Sequence, residues 1–165
     1  MPGYPCRICG GHHDLPEALS AGLPEPCLRI PPSERDDRIV LGDEMCKLDD
    51  RRYFLRGNVE LPLPGRAVPF VWTLWVELER VHFKRALALW MRDRRTREPA
   101  YPATLASALP HYEPTTEGLA CELISQPVGV RFSARVTADH PLSREQREGV
   151  DPARARALAE SLAHA

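Results

Sequence analysis

No run of apolar residues in this chain is long enough to cross a bilayer, and its first residues lack the basic, apolar and small-residue succession of a secretory leader. The expectation is a cytoplasmic protein without a membrane partner. Net charge is scarce as well: 22 basic residues against 23 acidic ones leave −1, so there is no overall positive field to hold nucleic acid. Lysine is nearly absent, with only Lys47 and Lys84 among those 22 basic residues, a bias that reads as genome composition. Neither an internal repeat nor a linker divides the 165 residues, which suit a single domain over 1–165 with one core. A hydrophobic content of 43% beside 27% charged residues excludes global disorder.

An even cysteine count is missing too. The five are Cys6, Cys9, Cys27, Cys46 and Cys121, and an odd number in a cytosolic chain argues against a disulfide framework. The Cys6-x-x-Cys9 pair is then metal-binding or redox-active. A thioredoxin-like pair needs a strand-to-helix junction, where the helix N-terminus lowers the thiol pKa. Here Pro5 precedes the pair and Gly10-Gly11-His12-His13-Asp14 follows it, which favours metal. Tetrahedral zinc takes Cys and His ligands. His12 and His13 are adjacent, so their side chains diverge and one of them reaches the ion; His13 is preferred because it leaves three residues after Cys9 for a turn. Cys46 is the leading fourth ligand, against the alternative that it is a small buried apolar residue. The expected set is Cys6, Cys9, His13 and Cys46, in an N-terminal Cys/His segment over about 1–46. Four protein ligands would make the zinc structural, whereas three plus water would permit hydrolysis.

Residues 14–44 are rich in proline and carry little periodicity, with a short helix expected near Ser33. Cys46-Lys47-Leu48 suggests a short strand. Tyr53, Leu55, Val59, Leu61 and Leu63 then alternate with Arg56, Asn58 and Glu60, and after Pro64-Gly65 the residues Phe70, Trp72, Leu74, Val76 and Leu78 alternate with Thr73, Trp75 and Glu77. Period two in both runs predicts an antiparallel hairpin at the centre of the sheet. Helical spacing follows over 80–92, a short helical turn is expected over Thr104 to Leu109, and strands over Leu119–Leu123 and Val128–Val136. Asp151-Pro152 starts a last helix. The fold expected is α+β, a largely antiparallel sheet of four to five strands with two or three helices packed on it.

Three other groups compete for a role. His140 beside Asp139 has the chemistry of a general base, and Cys27 or Cys46 with His140 could supply a hydrolase, but a His before Pro more readily makes a structural turn. The run Arg92–Arg97 is basic, yet Asp93 and Glu98 dilute it, no aromatics interleave, and a solvated helix end explains it. The polar hairpin face with Arg56, Asn58, Glu60, Thr73, Trp75 and Glu77 is a candidate pocket, or an ion-paired outer face partly covered by the Pro-rich segment.

Several motifs in order resemble the bacterial domain of unknown function DUF2199: the Cys6-x-x-Cys9-Gly10 opening with His13, Cys46-Lys47-Leu48-Asp49-Asp50, Tyr53-Phe54-Leu55-Arg56-Gly57, the strand Pro69-Phe70-Val71-Trp72-Thr73-Leu74-Trp75-Val76, and Asp139-His140-Pro141-Leu142 with Glu145-Gln146-Arg147-Glu148-Gly149. The resemblance implies a single-domain bacterial protein and brings no activity with it. It also implies that relatives carry cysteine where this chain has Asn58, which leaves the fourth ligand open. The functional expectation is a zinc-stabilised module that binds another protein, without catalysis; the alternative is a metal-dependent or Cys/His hydrolase.

Overall fold

Alternation in the two central runs becomes the longest ladder of the protein. In the computed structural model, which describes residues 4–13, 18–20 and 22–164, β6 (Arg52–Leu61) and β7 (Phe70–Leu78) pair antiparallel from Tyr53↔Leu78 to Leu61↔Phe70. Leu55, Val59, Leu61, Phe70, Trp72, Leu74 and Val76 share one face and are all buried.

Before the hairpin come β1 (Tyr4–Pro5), β2 (His12–His13), β3 (Ala18–Ser20), α1 (Glu25–Leu28), α2 (Pro32–Arg38), β4 (Ile39–Leu41) and β5 (Met45–Leu48). After it follow α3 (Arg80–Ala88), a 3-10 turn over Asp93–Arg97, β8 (Tyr101–Leu105), β9 (Ala120–Ile124), β10 (Phe132–Val136), α4 (Pro141–Glu148) and α5 (Pro152–Ala163). The fold is α+β, but the open, largely antiparallel sheet expected from the sequence needs correcting. The main sheet is mixed, has eight strands in the order β3-β7-β8-β9-β10-β6-β5-β4, and a further β6–β7 pairing closes β6, β7, β8, β9 and β10 into a five-stranded barrel. Closure is possible because β6 is long enough to serve two partners on one edge. Residues 52–55 pair with β5, while Gly57 and Asn58 pair in parallel with Phe132 and Ser133 of β10.

Gly57 marks where the barrel is tightest. A side chain there would meet Leu123 Cδ1 at 3.0 Å and Ala134 Cβ at 3.3 Å. Gly57→Val is therefore expected to cost about 1–3 kcal/mol by overpacking, read as a lower urea midpoint with an unchanged slope.

The helices near Ser33, over 80–92 and after Asp151 form as α2, α3 and α5, with α3 ending earlier, at Ala88. Asp151 caps α5 as its chemistry directs, its Oδ1 accepting from Arg154 N–H at 2.7 Å. Two expectations fail locally. The helical turn expected over Thr104 to Leu109 does not form: Thr104 and Leu105 end β8, whose backbone pairs with β7 and β9, and residues 106–109 continue without regular structure. The strand expected from Val128 starts at Phe132, since Gly129 at φ 85° and the Val130 N–H to Pro127 C=O bond make a turn.

Two buried clusters flank the hairpin. The larger unites the face named above with Phe83 of α3, Leu142 of α4 and Ala155 and Leu158 of α5. On the opposite face, Cys27, Cys46, Leu48, Phe54, Trp75 and Ala106 form a second layer, with Leu23, Ile30 and Ile39 packed against it. The Pro-rich segment is thus a lid over Trp75, tied by Glu25 N–H to Ala106 C=O at 2.7 Å and by the indole N–H of Trp75 to Gly22 C=O.

Candidate metal centre

Cys6 to His13 form a knuckle whose backbone aims at its own sulfurs. β1 and β2 pair antiparallel, Cys6 N–H bonds Gly11 C=O at 2.8 Å, and Gly10 turns the chain at φ 73°, a conformation glycine adopts without penalty. The Ile8 N–H lies 3.4 Å from Cys6 Sγ and the Gly11 N–H 3.4 Å from Cys9 Sγ. Backbone N–H groups, that of Cys9 first, hold the Cys6 thiol below its ordinary pKa despite its burial, favouring the thiolate a metal needs. In β2 successive side chains point to opposite faces, so His13 turns toward the cysteines. His13 Nε2 is 3.1 Å from Cys9 Sγ.

The fourth member comes from the far end of the chain. His164, which follows α5, places Nε2 3.2 Å from Cys6 Sγ, across 158 residues of sequence, and its ring meets that of His13 edge-on at 5.4 Å. Cys6 also packs against Ala159, and Arg7 N–H donates to Glu160 Oε1 at 3.1 Å, so α5 and the knuckle are docked on each other. The ligand atoms of Cys6, Cys9, His13 and His164 all lie within 4.8 Å of one another, a group that could hold a metal ion. A zinc tetrahedron with ordinary Zn–S and Zn–N bonds has edges of about 3.3–3.8 Å. The donor set and its spacing fit such an ion.

The structure brings Cys6, Cys9 and His13 together but not Cys46, which is a correction to the expected set. Cys46 Sγ sits 3.8 Å from Cys27 Sγ, and both residues are fully buried beneath Trp75. One thiol bonds the other, and that bond together with burial pushes the Cys46 pKa up, so Cys46 stays a neutral thiol. Burial likewise pushes Cys121 up to about 12. Thiol labelling of the native protein should therefore sort the cysteines: Cys6 and Cys9 react once a chelator is present, while Cys27, Cys46 and Cys121 react only on unfolding. Mass mapping of the labelled peptides reads this directly. Asn58 lies apart from this cluster, its Oδ1 accepting from the Thr73 hydroxyl at 3.0 Å on the hairpin's polar face.

Comparison with known proteins places the chain at this point. Residues 5–150 match the family described as "Uncharacterized protein conserved in bacteria". The chain belongs to DUF2199. No curated protein and no solved structure matches it. In this DUF2199 chain the matched stretch contains Cys6, Cys9 and His13, whereas His164 stands beyond it.

His140 has no spare nitrogen with which to act as a base. It caps α4, with Nδ1 accepting from Leu142 N–H at 3.0 Å and Nε2 placed 2.8 Å from Pro114 C=O, an arrangement that fixes the proton on Nε2. Ser143 completes a capping box, and the residue is 2% exposed. The basic run Arg92–Arg97 spans the 3-10 turn, where Arg95 is turned inward. Among the described residues no helix is long and apolar enough to cross a membrane.

Proposed function

We propose that this protein is a non-catalytic module, stabilised by one structural zinc ion bound by Cys6, Cys9, His13 and His164, that works by contact with another protein. The observation that carries the zinc reading is the convergence of the four ligand atoms from both ends of the chain. Four protein ligands fill a tetrahedral shell and leave no position for a reacting water, the arrangement of structural sites. The hydrolase alternative has less behind it, because His140 and Cys46 are each engaged in the interior. Support for a protein partner comes from β4, a strand at the end of the main sheet that leaves Val40 and Leu41 exposed.

Native mass spectrometry of protein purified without chelators tests the metal reading. One zinc per chain is expected, lost in Cys6→Ser and weakened at least tenfold in His164→Ala, while Cys46→Ser keeps full stoichiometry. No bound zinc in the wild type would refute it. Because thiolates and neutral imidazoles are the binding forms, binding releases protons and affinity should fall as pH is lowered. For the partner, quantitative capture from a bacterial extract should yield a protein that Leu41→Asp fails to retain; equal capture by both would remove β4 from the account.

A further inference from the structure

The hairpin's polar face ends in a cavity of about 500 Å³ lined by Glu44, Asn58, Trp90, Arg95, Val130 and Arg131. Arg95 is its unusual member. It is only 3% exposed, stacked over Trp90 and Phe132 with its guanidinium carbon 5.4 and 4.7 Å from the ring centres. Its two terminal nitrogens donate to Trp90 C=O at 2.9 Å and Val130 C=O at 3.3 Å, and its buried Nε has no partner. Among the described residues no carboxylate pairs with it.

A buried cation facing only carbonyls and rings is incompletely compensated, and an anion is the ordinary complement. The rest of the lining suits one. Arg131 is held by both oxygens of Glu44, Nε donating to Oε2 at 2.8 Å and Nη2 to Oε1 at 2.5 Å, and its Nη1 lies 3.5 Å from both Asn58 Oδ1 and Thr73 Oγ1. With the Asn58 carbonyl taken by the Thr73 hydroxyl, the Asn58 amide N–H groups are the donors left over. Two arginines against one glutamate leave the cavity a net charge of +1.

We propose that this cavity binds a small oxyanion, the carboxylate or phosphate group of a metabolite, between Arg95 and Arg131. Such groups accept charge-assisted N–H bonds from arginine, and with Nε and Nη2 of Arg131 on Glu44, its Nη1 is the donor left for the anion. The site is separate from the Cys/His cluster and does not rest on the zinc reading.

Titration calorimetry of the protein as purified without chelators, at low ionic strength and with inorganic phosphate and acetate as separate probes, tests this and tells the two sources apart. One site per chain is expected for at least one probe. Arg131→Gln should weaken it about ten- to a hundredfold, the loss of one charge-assisted contact, and Arg95→Met at least as much. Arg97→Gln, an exposed cation of the same turn, should leave affinity unchanged. If Arg95→Met does not fold, Arg131→Gln decides alone. Failure of both probes to bind the wild type, or binding that Arg131→Gln alters less than twofold, overturns the proposal.

Discussion

Stripping the metal should lower the melting temperature by roughly 8–16 °C while leaving the barrel folded. The size follows from linkage: free zinc about 1,000-fold above its dissociation constant stabilises by about 4 kcal/mol, and each kcal/mol shifts the midpoint of a chain this long by about 2–4 °C. The barrel is expected to persist because its five strands, β6 to β10, supply no ligand. What loosens is the junction of the two chain ends. α5 docks through a narrow stripe, the buried Ala155, Leu158 and Ala159 with the partly buried Leu162 beside them. A fully buried leucine contributes about 1.5–3 kcal/mol and a partly buried one less, little for twelve residues that must be ordered. On the proposed reading, an ion held by His164 on one side and Cys6, Cys9 and His13 on the other supplies the remainder. Chelation should thus speed amide exchange through α5 and β1–β2 and leave β6 and β7 protected. Unchanged melting and exchange after chelation would mean that the ion does not hold the ends.

The second large effect is expected at Trp75. Trp75→Ala should cost about 3–5 kcal/mol, the range for a large aromatic removed from a core. Trp75 is fully buried, its indole N–H donates to Gly22 C=O, and its backbone N–H is held by Ser107 Oγ at 3.0 Å. It is also the surface on which Cys27, Cys46 and the lid over residues 22–30 rest, and Arg56 lies 4.4 Å over its ring. Denaturant unfolding measures the loss. Faster labelling of Cys27 and Cys46, with the Cys6 and Cys9 site still loaded, would show that the damage is confined to this layer. A cost under about 1 kcal/mol would mean that the second cluster is not a core.

The central hairpin was legible because period two over two long runs has one good solution, and its inward residues follow from the alternation alone. Barrel closure was not. Alternation reports which face a side chain takes, not which strand lies at each edge, and Gly57↔Phe132 is a parallel pairing that no local pattern announces. β3 and β4, three residues each, are too short to show a period. α4 was hidden by a cap of unusual type: His140 stands where Ser, Thr, Asp or Asn would have signalled a helix start. Trp75 fell on the face that alternation assigns to solvent and is buried because a segment without periodicity covers it.

In the candidate centre, Cys6, Cys9 and His13 could be picked out because eight residues of chain bring them to one turn. The fourth position could not. Cys46 was preferred for its thiol chemistry, yet β5 carries it to the other side of the hairpin from the barrel core, where Cys27 awaits it. His164 gave no signal beyond being a histidine just past a helix, and nothing local tells which distant residue closes a loop of 158 positions.

X-ray absorption of the zinc-loaded protein tests this ligand set most directly. Two sulfurs at about 2.3 Å and two nitrogens at about 2.0–2.1 Å are expected around the metal, changing in His164→Ala and unaltered in Cys46→Ser. A shell of three sulfurs and one nitrogen, or one made of oxygen and nitrogen alone, would contradict it.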